Sequence, residues 1–298
     1  MTTERPDLLL LHEWPYDATF VARVLTLASE HGVRALALGP DDLVGHAVTF
    51  DMDGRPGLVL DRASDVLPEA AALADAAKAA GVRVTNDPDR ARAACDKARM
   101  HLALMSSGVH VPHTVVFPPL DAEPDAPCDL GPLGLPFVLK PAHGCGGEGV
   151  VLDATGPGDV QRARAERPDD AVLAQERVTW AEVDGHPAYF RVFWCLGDVH
   201  ACFWSPDTRR YTVVTDAQRA TAWHEGLAEV AGAIARVTCM DLFSTEVALT
   251  ADGRLISVDY VNDMCDLRLA GEHPDGVPDV VVEAIARRVV LAAREARP

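Results

Sequence analysis

The chain has 298 residues, 48% of them hydrophobic, which is globular composition with room for two domains, or for one domain and a lid. Its 27 basic and 45 acidic residues leave a net charge of −18, a surface that repels phosphate backbones and argues against nucleic acid as a partner. No stretch reaches the roughly 18 apolar residues of a membrane span, and Leu8–Leu11 is too short for a secretory leader, so a cytoplasmic protein without a membrane partner is expected.

Leu8–Leu11 reads as a buried strand, and Ala18–His31 carries apolar residues at helical spacing up to Gly32. Strands at Val33–Leu38, Leu58–Asp61 and Val82–Thr85 follow, with a helix over Pro68–Ala80. This alternation predicts parallel β-α units, hence an α/β domain over residues 1–95. No GxGxxG follows the first strand, so a dinucleotide fingerprint is absent. A second unit is expected over 96–178: a helix Asp96–Ser107, a Pro-rich stretch with a strand at Thr114–Phe117, strands Phe137–Lys140 and Val150–Leu152, a helix Gly158–Arg167, and a strand Ala171–Gln175. The third, 179–298, opens with a hairpin, Phe190–Leu196 and Val199–Trp204. A long helix Ala217–Val237 leads to a second hairpin, Phe243–Leu249 and Leu255–Tyr260, turned at Asp252-Gly253. A helix Val280–Ala296 closes it.

The seven cysteines are dispersed, without CxxC or Cys/His spacing for a metal, which fits reduced thiols. Cys145, inside a glycine-rich stretch, is the one to watch for reactivity. Only three of the 27 basic residues are lysines, Lys78, Lys97 and Lys140. In a chain that otherwise uses Arg, a retained Lys marks a place suited to a compact point charge.

Four segments could carry chemistry. In PFVLKPAHGCGGEGV (136–150) a strand delivers Lys140 to its end, and Gly144, Gly146 and Gly147 free backbone amides to turn toward a phosphate. No GKS or GKT follows, so this is not a Walker loop. Gln175, Glu176 and Val178, read as a strand edge, could offer backbone groups to an adenine ring, with Glu182 or Asp184 for ribose. Glu246 lies on one strand of the second hairpin and Asp259 with Asn262 at the end of the other, so that hard oxygen ligands suited to Mg²⁺ converge there. Arg191, Arg209, Arg210 and Arg268 could recognise phosphate or carboxylate, Arg191 above all because apolar residues flank it. Each also has an ordinary structural reading: turn chemistry, a strand exit, solvent-facing acids, surface charge.

Taken in order, these segments resemble the ATP-grasp superfamily over nearly the whole chain. Asp96-Lys97 with LMSSGVHVPHT (104–114) is similar to its opening segment, and PFVLKPAHGCGGEGV to its lid strand and loop. LAQERV (173–178) resembles its adenine hinge, AYFRVFWCLGDVHACFWSP (188–206) its Arg-bearing hairpin, and STEVALTADGRLISVDYVND (244–263) its metal hairpin, next to the glutathione synthetase and ribosomal-protein glutamate ligase type. Asp259-Tyr260-Val261-Asn262 is one residue longer than the usual Glu-x-Asn, as in a less-characterised branch. The resemblance implies a mixed α/β fold: a Rossmann-like preceding domain, a small lid and an α+β C-terminal part. It implies ATP with its phosphates on Lys97, Lys140 and the glycine loop, Mg²⁺ on Glu246, Asp259 and Asn262, and Arg191 and Lys140 in the catalytic roles. The expected reaction joins a small-molecule or peptide carboxylate to an amine. A kinase acting on a hydroxyl and a silent nucleotide-binding protein are the alternatives. Specificity is expected around Trp14, Asp61–Arg62, Ser64, Trp204–Arg210 and Arg268. Dimers are common in the superfamily, so the resemblance leaves a homodimer open.

Overall fold

The computed structural model describes residues 5–43, 55–126, 129–144 and 146–296. Cys145 therefore lies outside the described residues. The first sheet is built from β1 (Leu8–His12), β2 (Ala35–Leu38), β3 (Leu58–Arg62) and β4 (Arg83–Thr85), all parallel, in the order β2-β1-β3-β4. β1 and β3 are covered on both faces, the physical reason they read as unbroken apolar runs. Helices α1 (Ala18–Glu30), α2 (Pro40–Leu43) and α3 (Pro68–Ala79) connect them. Two further helices follow, α4 (Pro88–Ala94) and α5 (Lys97–Ser106), whose first-turn amides are capped by Asp87 and Asp96. Asp87-Pro88 is itself a start signal, yet α4 was not among the expected elements.

The second sheet is antiparallel: β5 (Thr114–Phe117), β6 (Phe137–Pro141), β7 (Val151–Ala154) and β8 (Val172–Glu176), in the order β5-β8-β6-β7, with α6 (Pro157–Glu166) on one face. Phe117, Phe137, Leu139, Val160 and Ala174 form its own small core. The buried Arg164 of α6 donates to the carbonyls of Pro118 and Glu123 at 3.0 and 2.6 Å, which ties down the Pro-rich loop.

A short hairpin, β9 (Glu182–Val183) and β10 (His186–Pro187), leads to a five-stranded antiparallel sheet. It comprises β11 (Tyr189–Cys195), β12 (Asp198–Ser205), β13 (Arg210–Val213), β14 (Leu242–Leu249) and β15 (Leu255–Asn262), in the order β13-β12-β11-β14-β15. The expected helix over 217–237 is two: α7 (Asp216–Arg219), closed by a Thr215–Gln218 capping box, and α8 (Ala222–Thr238), which restarts after Thr221 in an extended conformation. α9 (Asp279–Glu295) ends the described chain. No helix among the described residues is long and apolar enough to cross a membrane.

The two faces of the five-stranded sheet have different tasks. Phe190, Val192, Ala201 and Val247 pack against Leu227 and Ala231 of α8. On the other face Phe193, Cys195, Cys202 and Leu242 join a core with α9, α1 and the first sheet. Period-two alternation then puts Tyr189 and Arg191 on this second face too, beyond the apolar part.

Candidate functional site

Antiparallel register lines up the polar residues of three strands. Arg191 of β11 stands opposite Glu246 of β14, and Glu246 stands opposite Asp259 of β15, with irregular register on both sides of the Glu246–Asp259 pair. Arg191 Nη2 is 2.6 Å from Glu246 Oε1, and Tyr189 donates to Glu246 Oε2 at 2.5 Å. Asp259 accepts from Thr245 Oγ1 at its backbone carbonyl, and its carboxylate makes no hydrogen bond among the described residues. Asn262 pairs with Ser244 one step along, and Ser244 Oγ accepts from Arg191 Nη1 at 3.4 Å. The row Arg191–Glu246–Asp259 with Asn262 is thus one continuous surface, although its members are up to 71 residues apart in the chain.

Burial works against the charge on Arg191, but the neighbouring Glu246 outweighs it and holds the guanidinium ionised. The Tyr189 phenol is pushed far up by burial, and further by the Glu246 carboxylate that it meets, so it stays a proton donor. Arg191 also lies 4.7 Å from the centroid of the Trp204 ring. Its Nε–H is buried without an acceptor among the described residues. A cation held this firmly, with one donor unanswered, is a natural place for an anion.

Two lysines approach from the second sheet and from α5. Lys140, at the end of β6, donates to the carbonyl of Val258, the residue before Asp259, at 3.0 Å. Lys97, at the start of α5, donates to the carbonyl of Gly144 at 2.5 Å, while its own amide donates to Ala142. Gly144, Gly146, Gly147 and Gly149 all have positive φ, a conformation that side chains with a Cβ avoid. Asp170 anchors the loop by accepting from both the amide and the ring Nδ1 of His143, at 3.0 and 2.8 Å. Arg167 donates to the His143 carbonyl and pairs with Glu148 at 2.8 Å.

Other expected residues sit differently. β8 is not a sheet edge: Gln175 and Glu176 lie between β5 and β6, and the Glu176 amide donates to the His113 carbonyl at 2.8 Å. The Gln175 side chain is buried and bonded to Tyr260 and Thr114. Free backbone begins only past the end of β8, toward the half-buried Val178, and Glu182 is exposed on β9. Arg209 and Arg210 are exposed beside the β12–β13 turn. Arg268 meets Asp266 at 2.7 Å and Asp275 at 3.0 Å beneath Trp14 and Tyr16, so its fork is occupied by its own chain. Asp61 accepts from the amides of Ala63 and Ser64, and Arg62 is buried in a bidentate pair with Asp17 at 2.7 and 2.8 Å. Sequence reasoning missed Tyr189, although it shares a face with Arg191 by simple alternation.

For a metal, the donor set is two carboxylates and an amide, all hard oxygen. Among the described residues no group of three or more His, Cys, Asp or Glu side chains stands at ligating spacing. Two carboxylates and an amide oxygen are donors of the kind Mg²⁺ takes together with phosphate oxygens and water. The Asp259 carboxylate stands without a hydrogen bond among the described residues, whereas both Glu246 oxygens are engaged by Arg191 and Tyr189.

No known family profile matches the chain, and no curated protein matches it by sequence. Solved structures do. A RimK domain ATP-grasp protein from Sphaerobacter thermophilus DSM 20745 is 19% identical, with 96% of this chain and 99% of that one covered at a TM-score of 0.64. The ATP-grasp ligase PsnB, complexed with its precursor peptide PsnA2 and AMPPNP, is 17% identical over 98% of this chain and 99% of that one, TM-score 0.66. The D-cycloserine synthetase DcsG is 20% identical over 97% and 99%, TM-score 0.59. Likeness at this level of identity speaks for the fold.

Proposed function

We propose that this chain, which has the ATP-grasp fold, is an ATP- and Mg²⁺-dependent ligase that activates a carboxylate as an acyl phosphate for attack by an amine. The observation that carries the reading is the row Arg191–Glu246–Asp259, met from the facing sheet by Lys140, with the unanswered Nε–H of Arg191 inside it. Lys97, Lys140 and the loop amides at Gly144, Gly146 and Gly147 would hold the ATP phosphates, and the chain past β8, at Val178, with Glu182 would hold the adenosine. Glu246, Asp259 and Asn262 would hold Mg²⁺, which supplies charge neutralisation at the transferring phosphoryl group.

Phosphoryl transfer needs alignment and charge neutralisation more than covalent help. The carboxylate substrate attacks the γ-phosphorus through one oxygen, the bond to the β,γ-bridging oxygen breaks, and ADP leaves. Arg191, oriented by Glu246 and stacked on Trp204, is set to receive the negative charge of the acyl phosphate. Attack of the amine on the acyl carbon then expels inorganic phosphate as the amide forms. Two of the structural neighbours are named as ligases or synthetases, and PsnB was solved with a peptide, which supports a peptide or small-molecule acid as substrate.

Thermal unfolding with Mg²⁺·ADP tests the nucleotide site, because a ligand that binds only the native state raises the midpoint. The midpoint should rise in the wild type and not in Lys140→Ala. Phosphate release that requires both an acid and an amine is the expected outcome of a substrate screen. A folded Lys140→Ala protein that releases ADP at the normal rate would overturn the assignment.

A further inference from the structure

β15 carries a second polar contact on the face opposite Asp259. Tyr260 follows Asp259 and so points the other way, into the core between α5 and α8. Its hydroxyl lies 2.7 Å from His101 Nδ1 on α5 and 2.8 Å from Gln175 Nε2 on β8, and the same Nε2 is 3.1 Å from Thr114 Oγ1 on β5. Tyr260, Gln175 and His101 are 2%, 2% and 4% exposed.

Valence sets the Gln175 end of this chain: the amide nitrogen has two protons, one for Thr114 and one for Tyr260. The Tyr260 hydroxyl accepts the second and is paired with His101 Nδ1, and a neutral His101 with its ring proton on Nε2 is the tautomer that takes the phenol proton. These bonds join β8, β15 and α5 in a buried place, with β5 tied on through a part-buried one, and a missing partner in such a place is costly.

The second sheet therefore meets β15 at two nearby points. Lys140 reaches the Val258 carbonyl through a half-buried contact, which the ammonium would give up to turn to a phosphate. Gln175 reaches Tyr260 through a buried one. We propose that Tyr260 is a positioning residue, a fixed pivot that holds the β8 end of the second sheet against β15 so that Lys140 and Asp259 meet the same nucleotide. The proposal rests on the nucleotide reading of Lys140 and Asp259 given above.

Tyr260→Phe keeps the ring and removes the hydroxyl. Loss of the pivot should weaken calorimetric Mg²⁺·ADP binding roughly tenfold, at a temperature where the variant is fully folded. His101→Gln offers an amide oxygen to the same proton and should bind within about twofold of wild type, whereas His101→Leu should resemble Tyr260→Phe. A Tyr260→Phe protein with a lower melting midpoint but wild-type Mg²⁺·ADP affinity would reduce Tyr260 to ordinary core packing and overturn the proposal. If Tyr260→Phe does not fold, the His101→Leu and His101→Gln comparison decides the question in the same way. Amide hydrogen exchange without nucleotide gives an independent reading: residues 172–176 and 256–262 should exchange faster in Tyr260→Phe. Unchanged exchange there also overturns the pivot. Failure of the wild type to bind Mg²⁺·ADP, with faster exchange in the variant, would instead refute the nucleotide reading and leave the pivot standing.

Discussion

At the scale of single residues, burial decides which groups can titrate or react. His101 has its pKa pushed down by burial, and His200 and His224 share the direction for the same first cause. The unfolded chain takes up a proton at each near the ordinary value of about 6.5, while the native state resists, so stability falls as the pH drops through that value toward the native one. His101→Gln should flatten this dependence: the loss of melting midpoint between pH 7.5 and pH 5 should be smaller than in wild type. Equal losses in both proteins would show that His101 does not contribute. Among the described cysteines, Cys95 is pushed up to about 12, by burial and then by the nearby Asp263, whereas Cys239 is exposed. Alkylation at pH 8 followed by peptide mass mapping should find Cys239 modified well before Cys95, Cys195, Cys202 and Cys265. Arg191, Glu246 and Lys140 were legible as residue types on strands. Specificity was expected around Asp61–Arg62 and Arg268, and these side chains are held by their own chain, because sequence does not show which partner claims a charge first.

At the scale of elements, hydrophobic period located most strands and helices to within a few residues. Thr114–Phe117 and the two hairpins stand close to where alternation and turn chemistry put them. The strand β13 was missed because Arg210–Val213 is only four residues long and is a largely exposed edge, where pairing rather than burial makes the strand. The break between α7 and α8 was missed because Ala220 and Thr221 do not forbid a helix. Backbone approach is another element-level fact. A Cβ on Gly276 would come within 2.6 Å of the Leu269 backbone, at the Leu269–Val277 bridge. Gly276→Ala should therefore destabilise by about 1–3 kcal/mol, read as a lower melting midpoint. Gly158→Ala, at the exposed start of α6, where the nearest atom is the tip of Arg162 at 3.8 Å, should leave it unchanged. Equal midpoints for Gly276→Ala and wild type would disprove the close approach.

At the scale of the whole molecule, the last helix closes the first sheet. Val282, Ile285, Ala286, Val289 and Val290 of α9 share one core with Leu8 and Leu10 of β1, Phe20 and Val24 of α1, and Phe193 of β11. A chain ended at residue 278 would leave that core open on one side. Such a truncation should lose its cooperative thermal transition by calorimetry. A sharp transition near the wild-type midpoint would mean that α9 is dispensable. The buried Arg62–Asp17 pair lies at the same junction, and Arg62 also donates to the Cys265 carbonyl at 3.1 Å. By itself the sequence determined the classes of element, the Lys-then-glycine order of the loop and the acidic hairpin, because these depend on local period, turn chemistry and residue type. Only the tertiary structure decided that the Gln175 side chain is buried against Tyr260, that Arg268 is taken by Asp266 and Asp275, and that Arg191, Glu246 and Asp259 form one row. Those outcomes depend on strand order and register, which are set by contacts between residues far apart in the chain.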